Sequence, residues 1–176
     1  MDGGVARELP TAADLAALYP KWYPRLARYF SACGCHEALC HELAQESFVQ
    51  ALRGLDGFRG GAQLSTWLWA IGHRVLLAEK RRHRPLDRVA DVDAVEDLIF
   101  AESPHLSLVG DCGRRGFARF AAAHPERAQA VFLAYVAGWA HAELAELLGR
   151  SERATTVYLS ECRVKLQPFL EDCNGC

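Results

Sequence analysis

The 176-residue chain has no apolar run approaching the ~18 residues that cross a membrane as a helix. It opens Met1-Asp2-Gly3-Gly4-Val5, without a basic stretch leading into an apolar one. A secretory leader and membrane insertion are therefore not expected, and the expected compartment is the cytoplasm. Runs in which β-branched and polar residues alternate are missing, as are Asn-Gly hairpin signals, so sheet is not expected. The chain also lacks a basic excess: 20 Lys and Arg against 22 Asp and Glu leave a net charge of −2. A protein that grips duplex DNA tightly on its own usually carries such an excess. There is no Gly-rich phosphate loop and no Gly-x-Ser-x-Gly elbow. His36-Glu37-Ala38-Leu39-Cys40-His41 imitates a zinc-protease string, but Cys40 stands where the second histidine belongs. No enzyme site is expected.

What is present is helical periodicity. Leu15, Leu18, Trp22, Leu26, Tyr29 and Phe30 recur at three- and four-residue steps. Pro20 and Pro24 interrupt this stripe and predict a helix start near Pro20. Ala44, Phe48, Ala51, Leu52 and Leu55 form a second stripe, ending before Gly57. Leu64, Leu68, Ile71 and Val75 form a third, running to about Arg82. Three helices with short connections predict a small bundle.

The charge pattern then reverses. Arg74, Lys80, Arg81, Arg82 and Arg84 face a single acid, Glu79. From Asp87 to Glu102 six acids (Asp87, Asp91, Asp93, Glu96, Asp97, Glu102) accompany one base, Arg88. Residues 85–112 read as an acidic linker, with a short helix expected near Val95–Phe100. These 28 residues reach at most ~90–100 Å when extended, more than two turns of B-DNA. Further helices are expected over Arg114–Ala123, Glu126–Val136, His141–Leu148 and Glu152 to about Leu170. The expected fold is all-α: two small helical domains joined by an acidic linker, over 10–84, 85–112 and 113–170, with a cysteine-bearing tail at 171–176.

Residues Ala140–Cys162 have the spacing of a helix-turn-helix. Ala145 is small where two helices cross, and Gly149 follows four residues later at the turn. Thr155, Leu159, Cys162, Leu166 and Phe169 form the expected inward face of the last helix, and Ser151 is placed to cap it. Arg150, Ser151, Arg153, Thr156, Val157, Ser160 and Arg163 remain for DNA. Arg153 can pair with guanine in bidentate fashion, and Thr156 or Val157 can touch a thymine methyl. An ordinary αα-corner is the competing reading of this segment alone.

Further motifs stand in order upstream: Glu42-Leu43-Ala44-Gln45-Glu46-Ser47-Phe48, Phe58-Arg59-Gly60, Thr66-Trp67-Leu68 and Lys80-Arg81-Arg82. With Pro125-Glu126-Arg127 through Phe132, and Glu143-Leu144-Ala145 through Leu148-Gly149, the sequence resembles bacterial sigma factors of the sigma-70 family, in their extracytoplasmic-function (ECF) group. The resemblance covers about Leu15–Arg84 and Arg114–Leu170. It implies a region 2-like domain over 10–84 and a region 4-like helix-turn-helix over 113–170. It implies promoter recognition as a dissociable subunit of RNA polymerase, in a stress, envelope or metal response. Glu42, Gln45 and Glu46 would meet the clamp helices of the β′ subunit, and the second domain the β flap. Phe58, Arg59, Gly60, Gly61, Gln63, Trp69, Arg74, Lys80, Arg81 and Arg82 would serve −10 DNA. Within that set Trp69 is expected to be exposed for base stacking and Trp67 to be core. The helix-turn-helix residues would serve −35 DNA. An anti-sigma factor is a further partner to expect. Other readings are an autonomous helix-turn-helix regulator and a metal-binding sensor protein.

The sequence departs from the family on its recognition helix, where Ala154-Thr155-Thr156-Val157-Tyr158 is less basic than the common stretch and Glu161 replaces a frequent arginine. Arg74 and Ala78 stand where Asn and Asp are common. A specialised promoter is therefore expected. Seven cysteines are expected to be reduced in this compartment. Cys33, Cys35, His36, Cys40 and His41, with Cys173 and Cys176, have thiolate and imidazole groups suited to zinc or copper(I). Bridging by such a metal would hold the second domain against the polymerase-docking face of the first. Packing cysteines and an idle tail are the alternative.

Overall fold

The computed structural model describes residues 9–83 and 110–171. Among these residues there are seven α-helices and no strand. They are α1 (Ala12–Ala32), α2 (Glu37–Gly54), α3 (Leu64–Arg82), α4 (Gly110–Ala123), α5 (Pro125–Tyr135), α6 (His141–Leu148) and α7 (Glu152–Glu171). The fold is all-α, as expected. The linker helix expected near Val95–Phe100 lies outside the described residues.

Helix α1 begins at Ala12 and runs straight through both prolines. Thr11 and Asp14 close a capping box: Asp14 N–H donates to Thr11 Oγ1 at 3.3 Å and Thr11 N–H to Asp14 Oδ2 at 2.7 Å. Pro20 and Pro24 lie four apart on the exposed side. Their missing donors orphan the carbonyls of Ala16 and Pro20, both in exposed residues that water can reach. Solvent access is why the expected start at Pro20 is wrong. Helix α2 is capped by His36, whose Nδ1 accepts from Leu39 N–H at 3.2 Å.

In the first unit α1 packs on α2 and α2 on α3, burying Trp22, Leu26, Phe30, Ala44, Leu68 and Leu76. In the second, α7 packs against α4, α5 and α6 around Phe120, Phe132, Leu144 and Leu159. Gly149 has φ +62°, a left-handed conformation that closes α6 and that a side chain would strain. Ser151 Oγ then accepts from Ala154 N–H at 3.2 Å, starting α7 two residues later.

The two units touch. Tyr29 meets Phe132 edge-on at 6.4 Å, and the Trp139 ring stands edge-on to Trp22 at 5.9 Å and to Trp69 at 5.3 Å. Their buried apolar side chains form one continuous core.

Candidate nucleic-acid interface

Helix α2 presents Glu42 and Gln45 to solvent, with Glu46 half-buried and accepting from Gln50 Nε2 at 2.8 Å. Beside them are exposed apolar groups that sequence reading passed over: Tyr19, Val49 and Leu52, the last 55% exposed. The Tyr19 ring lies tilted against Phe48 at 4.8 Å and Tyr23 at 4.9 Å between ring centroids. An apolar patch edged by carboxylate and amide groups has the make-up of a protein-binding surface with a polar rim. The only advance signal was that Leu52 continues the α2 stripe, which reads equally well as core.

The loop between α2 and α3 carries Phe58, Arg59, Gly60, Gly61 and Gln63. Gly60 has φ +71°, and no atom lies within 4 Å of where a Cβ would stand on either glycine. Arg59, Gly61 and Gln63 are exposed, whereas Phe58 is buried against Trp67 at 5.0 Å. A groove of about 430 Å³ opens between α2 and α3, lined by Gln50, Gly54, Trp67, Ile71 and Arg74. Arg74 is exposed and its Nε donates to Ala70 O at 3.2 Å. The groove and Gln50 are additions that no motif announced, because they arise from the crossing of two helices.

Two expected roles are exchanged. Trp69 is 5% exposed, packed on Tyr29 at 4.6 Å and covered by Trp139. Trp67 is half-buried at the groove. The physical reason is that Trp69 faces the second unit, a contact that helical periodicity within one segment cannot show. At the end of α3, Lys80 and Arg81 are half-buried, while Arg82 and His83 both reach Glu79 at 2.8 Å.

On α7, Thr155, Leu159 and Cys162 are buried and Leu166 and Phe169 half-buried, matching the expected inward face. Arg150, Ser151, Arg153, Thr156, Val157, Ser160 and Arg163 are all exposed. Arg150 lies over the Tyr158 ring at 4.4 Å, and Arg163 over Tyr135 at 5.9 Å. Thr156 Oγ1 meets His141 Nδ1 at 3.0 Å, tying the two helices of the motif together, and Ser160 Oγ donates to Thr156 O. A cleft of about 390 Å³ runs between Arg150, Arg153, Val157 and Glu161. This face can enter a groove, read base edges and carry apolar contact.

Among the described residues the expected cysteine–histidine metal site is not assembled. Among the described residues no three His, Cys, Asp or Glu side chains converge as metal ligands. Cys33 and Cys40 are buried, Cys40 Sγ donates to Cys35 O at 3.4 Å, His36 caps α2, and His41 Nδ1 meets Tyr23 OH at 2.8 Å. Each group is committed to a local structural partner. Burial raises the Cys33 and Cys40 thiols above their ordinary range, disfavouring the thiolate a metal needs. Cys173 and Cys176 lie outside the described residues. Cys33, Cys35, Cys40 and Cys162 form no disulfide, but Cys112 is disulfide-bonded, contrary to the expectation of full reduction. That expectation rested on compartment, which places no thiol next to another.

Residues 18–85 match the Sigma-70 region 2 family. The RNA polymerase sigma factor YlaC of Bacillus subtilis (strain 168) is 37% identical over 65 residues, 37% of this chain and 38% of that protein. The ECF RNA polymerase sigma-E factor of Salmonella typhimurium (strain LT2) is 41% identical over 59 residues, 31% of this chain and 29% of that protein. The ECF RNA polymerase sigma factor SigG of Mycobacterium tuberculosis (strain H37Rv) is 27% identical over 155 residues, 75% of this chain and 41% of that protein. The chain thus spans about four-tenths or less of the length of these relatives. Its first unit is a sigma-70 region 2 domain. Over these stretches the chain is similar to sigma factors of the ECF group. No helix among the described residues is long and apolar enough to cross a membrane.

Proposed function

We propose that this chain directs promoter-specific transcription initiation as a dissociable subunit of bacterial RNA polymerase. One observation carries the reading: a region 2 domain and an exposed helix-turn-helix face occur in one chain. On this reading Glu42, Gln45 and Glu46, with Tyr19, Val49 and Leu52, dock on the β′ clamp helices. The α2–α3 loop and groove receive an unpaired −10 base, and Lys80, Arg81 and Arg82 hold phosphates. The α7 face reads −35 DNA while the second unit engages the β flap. Similarity to ECF sigma factors supports a stress, envelope or metal response and control by an anti-sigma factor.

The test is promoter selection from genomic fragments by the purified chain with and without core polymerase. Specific transcripts that require both components are expected. The net charge of −2 and the sparse bases of α7 predict weak duplex binding alone. Tight, specific binding without polymerase would instead favour an autonomous regulator.

A further inference from the structure

The outward face of α7 is sparse in bases, and two of the arginines around it share a single ring. Tyr158 is half-buried at the edge of the cleft that runs between Arg150, Arg153, Val157 and Glu161. The Arg150 guanidinium lies over the Tyr158 ring at 4.4 Å from its centroid, and the Arg127 guanidinium at 5.3 Å. Arg127 comes from α5 and is half-buried, and its Nη1 donates to Cys162 Sγ at 3.7 Å. Cys162 is fully buried on the inward face of α7. Arg127 thus braces the ring against the body of the unit, while the ring carries Arg150 at the surface. Arg150 itself is exposed and stands just before the capping Ser151.

Three features give this stack a consequence for recognition. First, a cation–π contact uses the flat face of a guanidinium and leaves its N–H edge free for donation in the plane. Among the described residues no carboxylate pairs with Arg150, so that edge has no ionic partner to give up. Second, an arginine loose in solvent gives up rotamer freedom when it pairs with a base, and one already stacked gives up less. Third, Ala154–Tyr158 carries no Lys or Arg of its own. The stack reaches a residue eight positions on, so the Arg150 side chain runs along α7 toward the face that bears Arg153 and Val157. A planar fork held there matches the two major-groove acceptors of guanine, O6 and N7.

Resting on the sigma-factor reading, we propose that Tyr158 is a positioning residue that determines specificity: it holds the Arg150 guanidinium edge-on to the major groove, where Arg150 reads one guanine of the −35 element. Arg127 positions the ring, and Tyr158 acts through Arg150 without touching a base. The ligand is a G·C pair contacted at guanine O6 and N7, a different pair from the one met by Arg153. The ring and not the hydroxyl makes the stack, so phenylalanine serves at this position and an aliphatic residue does not.

The experiment uses the full chain in two arms. The first needs neither DNA nor polymerase: nuclear magnetic relaxation of the Arg150 Nε–Hε bond reads whether the guanidinium is held. The bond is expected to be ordered in the parent and in Tyr158→Phe, and mobile in Tyr158→Leu. Equal mobility in the parent and in Tyr158→Leu overturns the positioning role. The second arm is base selection with core polymerase from a library randomised over the −35 element. Arg150→Ala is expected to lose roughly five- to hundred-fold discrimination at one G·C pair. Tyr158→Leu is expected to lose about three- to ten-fold at that same pair, and Tyr158→Phe to keep the preference. Arg150→Ala/Tyr158→Leu is expected to be no worse there than Arg150→Ala alone, as for two residues acting as one. Should Tyr158→Leu lose its helicity by circular dichroism, Tyr158→Gln takes its place in both arms. A loss spread evenly over all positions, with a shallower salt dependence, makes Arg150 a phosphate contact and overturns the proposal. A parent that selects a sequence while the folded Tyr158 variant keeps every preference defeats the positioning role alone. A parent that selects no sequence with polymerase defeats the sigma-factor reading.

Discussion

The Arg25 side chain is only 5% exposed, and two carboxylates and the faces of Trp22 and Trp139 surround it. A guanidinium suits the place: its planar fork meets two acceptors while its face lies on indole. The cysteines show the opposite use of burial. Cys33 is fully buried, and burial foremost pushes its thiol up, so almost no thiolate forms at neutral pH. Iodoacetamide on the native chain is expected to modify half-buried Cys35 well before Cys33, with Cys33 labelled only on unfolding. Peptide mass spectrometry over time checks the order, and early labelling of Cys33 would contradict the packing. On α7, Arg153 is exposed beside the cleft shared with Val157 and Glu161. On the proposed function, Arg153→Ala is expected to cost ~1–3 kcal/mol of promoter binding and to relax preference at one position. Base selection by the polymerase-bound protein reads this, and unchanged preferences would show that α7 faces its DNA differently.

At the scale of elements, helix ends decide more than helix interiors. Thr11 and Asp14 start α1 two turns before the first proline, and His36 takes the capping role at α2. Gly149 sets the angle between α6 and α7. No crowding forbids a side chain there, since the nearest atom to a Cβ is Gln63 Nε2 at 3.9 Å, so the cost of Gly149→Ala is conformational. It is expected to be about 1–2 kcal/mol, while Gly149→Asn recovers part of it. Urea midpoints of the three proteins test this. An alanine variant as stable as the parent would mean that the turn adopts another backbone conformation.

For the whole molecule, the contact between the two units depends on pH. Burial opposes ionisation of Glu143, but the Ala140 amide and the Arg28 and Arg25 guanidiniums outweigh it and hold the carboxyl below its ordinary value. Burial likewise opposes ionisation of Glu146, and Lys21 and Arg25 outweigh it. Among the described residues, the charged groups paired with these carboxylates are Lys21, Arg25 and Arg28 of α1. Thr66 is the neutral contact from α3, and His141 is turned to Thr156 of α7. Carboxyls lowered by this contact stabilise it fully above their ordinary range, and that contribution is lost as pH falls through the lowered values. The radius of gyration is therefore expected to stay constant around neutrality and to rise on acidification, before helicity is lost. A radius that rises only together with unfolding would contradict this.

The sequence by itself determined that these segments are helical, the start of α1 apart, and it determined the inward face of α7 and the aliphatic stripe of α3. Repeats of three and four residues, a turn glycine and a capping serine act within a few residues of chain. The same locality made the candidate docking and reading residues legible as motifs. Tertiary structure alone decided what lies between segments: the exchanged roles of Trp67 and Trp69, the groove at Gln50 and Arg74, and the capping duty that takes His36 from a metal. It also decided the meeting of Glu143 and Glu146 with Arg25 and Arg28, more than a hundred residues away in sequence. Charges that distant find each other only once two amphipathic units have buried their apolar faces. No local pattern encodes which exposed face of one unit the other will cover.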